Sequence, residues 1–366
     1  MKELLKKLVQ ADSTPAKGEL LTAQIIAEHL KSFGIEPIVD SWDNNRANII
    51  AVVNSSGQKP ALVFVTHLDV VPSGAGKWQT PPFEAIEKDG KIFGRGSGDM
   101  KGGIVAIITA IEEIVKSKVK LQGDIIFSGT AGEETDSCGI KRFVKVSSGQ
   151  LPELAGIVIP EPTDFEIVTA HRGMLWLEIT TKGKTAHGSM PRLGINAIDS
   201  MMAVLGRLEA YKKQKLPAGC SMSINTIAGG KAVNVIPDNC TVAIDLRTEA
   251  GKAGDCFIDD LKNIFAELNE RDSKFKAEVS VIRNVGALET DNDCDFVKTF
   301  CKAVEITETR SVGFCTDGPF LADLAPVIIF GPGRPDLAHK PDEYIDLADV
   351  KEAAQYYKEI IFKFLT

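Results

Sequence analysis

The sequence predicts an α/β protein in which a mainly parallel sheet, flanked by helices, carries an inserted α+β domain. Short strands that are apolar throughout alternate with helices in residues 1–173, which is typical of parallel strands covered on both faces. From residue 174 the strands instead alternate apolar and polar side chains, and the first pattern resumes at 285. A length of 366 residues also favours two domains.

The first domain, residues 1–173 and 285–366, is discontinuous in the chain. Apolar residues at helical spacing predict helices over 20–33, 102–116 and 292–305, and a closing helix from 347. Apolar runs predict strands over 47–53, 62–65, 124–128, 156–159 and 326–330. The glycine- and proline-rich stretch 72–98 predicts a long loop with a small hairpin.

The inserted domain is predicted over residues 174–284. Its strands are expected near 174–181, 221–228, 239–247 and 276–283, and its helices near 194–213 and 255–269. The resulting order β-α-β-β-α-β is that of the ferredoxin-like split motif.

Composition excludes several classes of protein. The net charge of −8 disfavours nucleic acid and anionic membranes as partners. Residues 1–10 lack the apolar block of a secretion signal, and no apolar run approaches ~20 residues, so a cytoplasmic protein is expected. The seven cysteines form no CxxC pair, which argues against a zinc ribbon or a disulfide framework.

Metal-ligand residue types follow the predicted strands of the first domain. His67 and Asp69 come at the end of strand 62–65, where ligands bind in open α/β sheets. His67 can bind a metal while Asp69 orients either that histidine or the catalytic residue, and a capped turn without a ligand fits the same two residues. Asp99 lies in a glycine-rich loop that opens a helix and matches neither GxGxxG nor GxSxG, so it is interpreted as a ligand that can bridge two cations.

Three further acidic residues and one histidine complete this pattern. Glu133 and Glu134 follow strand 124–128, and one can bind metal while the other acts as general base in a hydrolysis. Glu161 is held between two prolines, and His339 follows strand 326–330. Such a mixture of nitrogen and oxygen ligands suits a pair of Zn²⁺-like ions.

The chain resembles the co-catalytic zinc family of acetylornithine deacetylase, succinyl-diaminopimelate desuccinylase, aminoacylase and glutamate carboxypeptidase. The resemblance covers nearly the whole chain and depends on seven segments in the family's order: THLDVVP, GRGSGDMKGG, GTAGEE, PEPT, KTAHGSMPRLGINAI, NVIPDN and GPGRPDLAHKPDEY.

The resemblance implies a role for each matching residue. Asp99 is the bridging ligand; His67 and Glu161 complete one metal site, and Glu134 and His339 complete the other. Glu133 is implied as the general base and Asp69 as the support of His67. In the inserted domain, the resemblance implies that His187 stabilises the tetrahedral oxyanion and that Asn234 and Arg247 hold the carboxylate of the substrate. It also implies a homodimer formed through that domain.

The expected function is removal of the acyl group from a small N-acyl amino acid, as in acetylornithine deacetylase, with two divalent ions, zinc in preference to cobalt or manganese. The alternatives are a succinyl-diaminopimelate desuccinylase and a carboxypeptidase or dipeptidase on short peptides. Two other classes remain open: a metal-binding scaffold without catalysis, and an amidohydrolase with a cysteine nucleophile, which thiol alkylation rather than a chelator would inactivate.

Overall fold

The computed structural model describes residues 1–147, 149–250 and 254–366. Its helices, in chain order, are α1 Lys2–Gln10, α2 Leu20–Lys31, α3 Gly102–Ser117, α4 Cys138–Ser147, α5 Ala197–Gln214, α6 Gly254–Arg271, α7 Asp295–Val304 and α8 Leu347–Leu365. Its strands are β1 Ile38–Trp42, β2 Arg46–Val53, β3 Ala61–His67, β4 Ile86–Lys88, β5 Lys91–Phe93, β6 Ile125–Thr130, β7 Leu154–Ile159, β8 Ile167–His171, β9 Gly173–Lys182, β10 Ala186–His187, β11 Ser221–Gly229, β12 Val235–Ile236, β13 Asn239–Thr248, β14 Ala277–Val285, β15 Leu288–Glu289, β16 Thr309–Val312, β17 Val327–Ile329 and β18 Tyr344–Asp346.

The chain divides into two compact units. The first unit contains residues 1–170, 289–312 and 316–366, and the second contains 171–288 and 313–315. Each unit has its own apolar core. None of the helices within the described residues has the length and hydropathy required to cross a bilayer.

The first unit is built on a nine-stranded sheet with the order β1-β2-β6-β3-β7-β17-β8-β15, and β16 pairs with β8. Its centre is parallel, because β3 runs parallel to β6 and β7, and β17 runs parallel to β7. Every residue of β3 and β6 is buried, as expected for strands covered by helices on both faces. The predicted α/β class with a mainly parallel sheet is confirmed.

Close packing between α3 and the end of β7 requires a glycine. A Cβ atom at Gly103 would lie 2.3 Å from the carbonyl oxygen of Pro160, far inside van der Waals contact. Because Gly103 lacks that atom, the first turn of α3 lies directly against the segment that carries Glu161. α8 packs beside α3, and its Tyr357 lies edge-on against Phe64 and donates a hydrogen bond to the carbonyl oxygen of Phe330, at 2.8 Å.

The second unit contains an antiparallel sheet with the order β11-β13-β9-β14. Leu175, Leu177 and Ile179 of β9 alternate with more exposed residues and are buried in a core shared with α5 and α6. The oxygen of Asn196 accepts the amides of Ile198 and Asp199, which starts α5. The predicted β-α-β-β-α-β order is confirmed.

Several short elements were not predicted. They are α1, α4, β1, β8 and the short strands β10, β12, β15, β16 and β18. The predicted hairpin within 72–98 is confirmed as β4 and β5.

Candidate metal centre

Four parallel strands end at the same edge of the large sheet. β3 ends at His67, β6 ends three residues before Glu133, and β7 ends two residues before Glu161. The fourth strand, β17, is followed by the loop that carries His339. The carboxyl ends of parallel strands form the usual ligand-binding edge of an open α/β sheet.

His67 lies in the first of two neighbouring groups of potential metal ligands. Its Nε2 atom is 3.0 Å from Oδ1 of Asp99 and 3.6 Å from Oε1 of Glu161. All three side chains offer ligand atoms within 4.8 Å of one another. One imidazole and two carboxylates converge here.

His339 lies in the second group and repeats this composition. Its Nε2 atom is 2.8 Å from Oε1 of Glu134 and 3.3 Å from Oδ2 of Asp99. The three ligand atoms again lie within 4.8 Å of one another. Asp99 therefore belongs to both groups, with Oδ1 facing one histidine and Oδ2 facing the other.

The protein's own charges favour positive charge at both histidines. Hydrogen bonds to Asp99 and Glu134 raise the pKa of His339 to about 10. Burial opposes charge on His67, but Glu161 and Asp99 outweigh it and raise the pKa of that imidazole well above its ordinary value. Burial also disfavours ionisation of Asp99, yet hydrogen bonds from the two histidines hold its pKa well below the usual range.

Glu133 lies next to both groups. It is 8% exposed, and one of its oxygens lies within 4.8 Å of ligand atoms of His67 and Glu134. Burial, followed by the charges of Asp317 and Glu134, raises the pKa of Glu133 well above the ordinary glutamate value. A carboxylate in these surroundings has a strong tendency to take up a proton.

Asp69 holds the loop of the two adjacent glutamates by its backbone. Its Oδ1 accepts the amides of Gly132 and Glu133 at 2.9 and 3.1 Å, and its Oδ2 accepts the amide of Glu134 at 3.0 Å. The Nδ1 atom of His67 lies 3.0 Å from the carbonyl oxygen of Asp69, whereas its distance to Oδ1 is 3.8 Å. The carboxylate of Asp69 thus orients the glutamates, and its backbone carbonyl orients His67 with Nε2 towards the cluster.

The backbone of His339 is in the left-handed region, at φ 64°. A non-glycine residue there has an energetic cost and persists where the surrounding contacts require it. The short contacts of its Nε2 atom to Glu134 and Asp99 are such contacts.

His187, Asn234 and Arg247 all lie in the second unit. His187 pairs with Val235 across β10 and β12, and the Gly188 amide donates to the carbonyl oxygen of Asn234 at 2.8 Å, so His187 and Asn234 are neighbours. Both side chains are exposed. Arg247 makes a two-pronged contact with Asp245, at 2.8 and 3.1 Å.

Two buried residues beside the cluster were not assigned a role from the sequence. Arg95 is 2% exposed and Glu343 is 1% exposed, and they form an ion pair. The available signal was their position, because Arg95 lies in GRGSGD and Glu343 in HKPDEY, the segments that carry Asp99 and His339.

The donor set fits a pair of divalent cations. Two imidazoles and three carboxylates in two overlapping groups match the nitrogen and oxygen ligands that Zn²⁺ and similar ions accept. Three mostly buried carboxylates in one place repel one another, and a cation between them removes that cost. The chemistry of these residues therefore agrees with a two-metal centre.

Comparison with known proteins gives one family and several relatives. The model of peptidase family M20/M25/M40 matches residues 63–363. The chain is 28% identical over 386 residues to a probable succinyl-diaminopimelate desuccinylase of Staphylococcus epidermidis, covering 95% of this chain and 93% of the relative. It is 29% identical over 381 residues to an acetylornithine deacetylase of Proteus mirabilis, covering 99% of this chain and 96% of the relative.

Solved structures share the fold at low sequence identity. An M20 family metallo-carboxypeptidase of Sulfolobus solfataricus superposes with a TM-score of 0.84 at 17% identity, covering 99% of this chain and 98% of that one. A Bacillus subtilis protein described as a dinuclear metal-binding peptidase of the M20 family has a TM-score of 0.72 at 17% identity, covering 98% and 96%.

Proposed function

The chain belongs to peptidase family M20/M25/M40, whose members hydrolyse amide bonds, and from this premise we propose that it removes the acyl group from a small N-acyl amino acid. The resemblance inferred from the seven sequence segments is confirmed at the level of the family, and so is a hydrolase of linear amide bonds. The substrate, the residue roles and the identity of the metals are our proposals.

One observation carries the proposal of a two-metal centre: the two oxygens of Asp99 face two different histidines, at 3.0 and 3.3 Å. A carboxylate in this position can be shared by two cations. We assign His67 and Glu161 to one site, Glu134 and His339 to the other, and Asp99 to both. The preferred ion is Zn²⁺, with Co²⁺ and Mn²⁺ as alternatives.

Glu133 is proposed as the general base. Two bound cations would supply Lewis acidity towards the amide carbonyl and make water a stronger acid. Glu133 takes one proton from the attacking water at its carboxylate and delivers it to the nitrogen of the departing amine. Because its pKa is raised by burial and by Asp317, Glu133 can hold that proton between the two steps. The products are a carboxylate and a free amino acid.

His187 is proposed as the hydrogen-bond donor to the developing oxyanion. The Ser189 amide donates to Nδ1 of His187 at 3.2 Å. A neutral imidazole that accepts at Nδ1 carries its hydrogen at Nε2, so the outer nitrogen is a donor. This tautomer is the one that stabilises negative charge on a substrate oxygen.

Asn234 and Arg247 are proposed to bind the carboxylate of the substrate. The guanidinium of Arg247 already holds the carboxylate of Asp245 through Nε and Nη2, which is the geometry that a substrate carboxylate would require. A substrate carboxylate would therefore have to replace Asp245 or share Arg247 with it.

The proposed substrate is an N-acetylated basic amino acid such as acetylornithine. The loop 313–319 and the segments FGPG and AHKPDEY are closer to the deacetylase than to the desuccinylase pattern. The two curated relatives, 29% and 28% identical, do not separate these activities. We also propose that the second unit acts as a lid and forms a homodimer.

A substrate panel tests this proposal. Protein reconstituted with Zn²⁺, Co²⁺ or Mn²⁺ is assayed on N-acetylornithine, N-succinyl-diaminopimelate and dipeptides, before and after chelation. We expect the highest kcat/KM on the N-acetyl substrate, loss of activity on chelation and no loss after thiol alkylation. A preference for the succinyl compound or for dipeptides would replace the deacetylase assignment, and chelator-resistant activity would reject the metal centre.

His339→Ala tests the ligand set independently of turnover. The variant loses one nitrogen from the group formed with Asp99 and Glu134, so elemental analysis after dialysis is expected to find about one metal per chain, against two in the wild type. His29→Ala is the matched control, since His29 contacts Glu112 in the first unit and its variant should keep two metals. Two tightly bound metals in His339→Ala would remove His339 from the ligand set.

A further inference from the structure

A small sheet joins the two loops that carry Asp99 and His339. β5 and β18 are antiparallel, with Phe93 opposite Tyr344. The chain leaves β5 towards Asp99 and enters β18 from His339, so the two loops continue side by side beyond the strands. A backbone hydrogen bond from Gly94 to the carbonyl oxygen of Glu343, at 2.9 Å, extends this pairing.

The side chain of Glu343 fixes the backbone at Asp99. Its Oε1 accepts the amides of Gly98 and Asp99 at 3.0 and 3.1 Å. Two amide donors converging on one carboxylate oxygen fix the path of the backbone immediately before the Asp99 side chain. Because Glu343 is 1% exposed, water does not compete for these bonds and they hold the loop strongly.

Arg95 connects the same carboxylate to the other loop. Its Nη1 atom lies 2.5 Å from Oε2 of Glu343 and 3.3 Å from the carbonyl oxygen of Lys340, next to His339. The guanidinium carbon lies 5.2 Å from the ring centroid of Trp78, which covers one side of the group. One buried ion pair thus contacts the backbone of both ligand-bearing loops.

Stability of the fold is a weak reason for such a pair. Bringing two charges into an apolar interior is costly, and a buried ion pair is often replaced by apolar residues without loss of stability. The contacts of Arg95 and Glu343 are instead directed at three backbone groups, those of Gly98, Asp99 and Lys340. All three lie within one residue of a proposed metal ligand.

We propose that Glu343 and Arg95 are positioning residues that hold Asp99 at the midpoint of the two metal sites and thereby couple the affinities of both. The inference rests on the proposed function, because it takes Asp99 as the shared ligand. We call the ion pair of Glu343 and Arg95 the clamp. If a substitution loosens the clamp, both oxygens of Asp99 move together, so both metals bind more weakly. Loss of a residue that supported only one terminal ligand would weaken the binding of only one metal.

Calorimetric titration of the metal-depleted full chain with Zn²⁺ tests the clamp. In Glu343→Gln the carbonyl oxygen can still accept the two amides, but the new NH₂ group opposes the donor of Arg95 and the pair is lost. We expect the affinity of both binding steps to fall about 10–100-fold, with two metals still bound at saturation. Turnover should be lost at limiting Zn²⁺ and largely recovered at saturating Zn²⁺.

Asp124→Asn is the matched control. Asp124 also accepts a backbone amide and a hydroxyl, both from Ser55 at 2.7 Å, but it lies immediately before β6, away from the ligand edge. Whatever its effect on the unfolding midpoint, this variant should bind both metals as the wild type does. Arg95→Lys is the second test variant: it keeps the charge and loses the planar group that spans Glu343 and Lys340, so a smaller loss for both metals is expected.

The outcomes separate the clamp from the metal centre itself. Glu343→Gln overturns the clamp if it folds and binds both metals with wild-type affinity, or if only one binding step is weakened. If Glu343→Gln does not fold, the same two results in folded Arg95→Lys overturn it. Asp99→Asn serves as the reference for the centre and is expected to lose tight binding at both sites. If Asp99→Asn binds two metals as tightly as the wild type, the proposed centre is wrong, whatever Glu343→Gln does.

Discussion

The proposed metal ligands of the first unit and the proposed substrate-binding residues of the second unit differ in how far the protein itself has fixed them. In the first unit, His67, Asp99 and Glu161 are buried or nearly so and lie within 4.8 Å of one another, while His339 is exposed and is held by its contacts to Asp99 and Glu134. In the second unit, His187 and Asn234 are exposed, and only Arg247 among the three proposed residues is partly buried and held by a carboxylate, that of Asp245.

The difference follows from what each set is proposed to hold. A cation site needs several carboxylates close together before the cation arrives, and only the rest of the fold can keep them there against their repulsion. Residues that meet a substrate can remain hydrated until it binds. Changes in the first set should therefore alter metal affinity, whereas changes in the second should alter turnover with the metals retained.

Replacement of the proposed base gives the largest expected effect. Glu133→Gln removes the group that transfers the proton, so kcat should fall about 10²–10⁴-fold, while both metals remain bound. Parallel measurements of kcat and metal content check this. Loss of a metal would show that Glu133 is itself a ligand, as its place near His67 and Glu134 also allows, and near wild-type turnover would remove it from the mechanism.

Replacement of His187 is expected to give a smaller loss of kcat than replacement of Glu133. It tests whether the second unit takes part in the chemistry. His187→Ala removes one donor to the oxyanion, so kcat should fall about 10²–10³-fold at unchanged metal content. Ser189→Ala keeps the imidazole but removes the hydroxyl 2.7 Å from Nδ1, so its loss of kcat is expected to be smaller than that of His187→Ala. Wild-type turnover of His187→Ala would restrict the chemistry to the first unit.

The smallest expected effect concerns Glu19, a buried carboxylate that is not a proposed metal ligand, and the pH dependence of stability tests it. It is fully buried against Arg46, at 2.9 Å, and burial followed by the charge of Asp69 raises its pKa from 4.5 to about 7. Between these values the folded state binds the proton more tightly than the unfolded state does, so this group's contribution to stability falls as pH rises from about 4.5 to 7.

Glu19→Gln cannot titrate and should lack that decline. The free energy of unfolding, measured in urea at pH 5 and pH 8, is expected to fall less in the variant, by on the order of 1–3 kcal/mol, since one pKa unit corresponds to about 1.4 kcal/mol. Equal pH dependence in both proteins would show that Glu19 titrates normally in the folded state.

Long elements were predictable because their apolar pattern is local. The helix over 102–116 and the strand over 62–65 correspond to α3 Gly102–Ser117 and β3 Ala61–His67. Strands such as β16 and β18 have only three or four residues and form by pairing with distant segments, so no local period indicates them. The pairing of Arg247 with Asp245 was within reach of the sequence, because residues two apart share a face of a strand.

The sequence by itself determined which residue types follow which strands. Apolar strands separated by helices become parallel, their carboxyl ends meet at one edge, and His67, Glu133, Glu134, Glu161 and His339 follow those ends. Each step depends only on local burial and on how consecutive strands connect.

Only the tertiary structure decided how these groups face one another. It directs the carboxylate of Asp69 to three backbone amides, places the two oxygens of Asp99 against two different histidines and brings Glu343 to Arg95, 248 residues apart in the chain. Contacts across such distances come from the pairing of β5 with β18 and of β3 with β6. The packing of these strands sets the positions of the atoms, and no local period in the sequence encodes it.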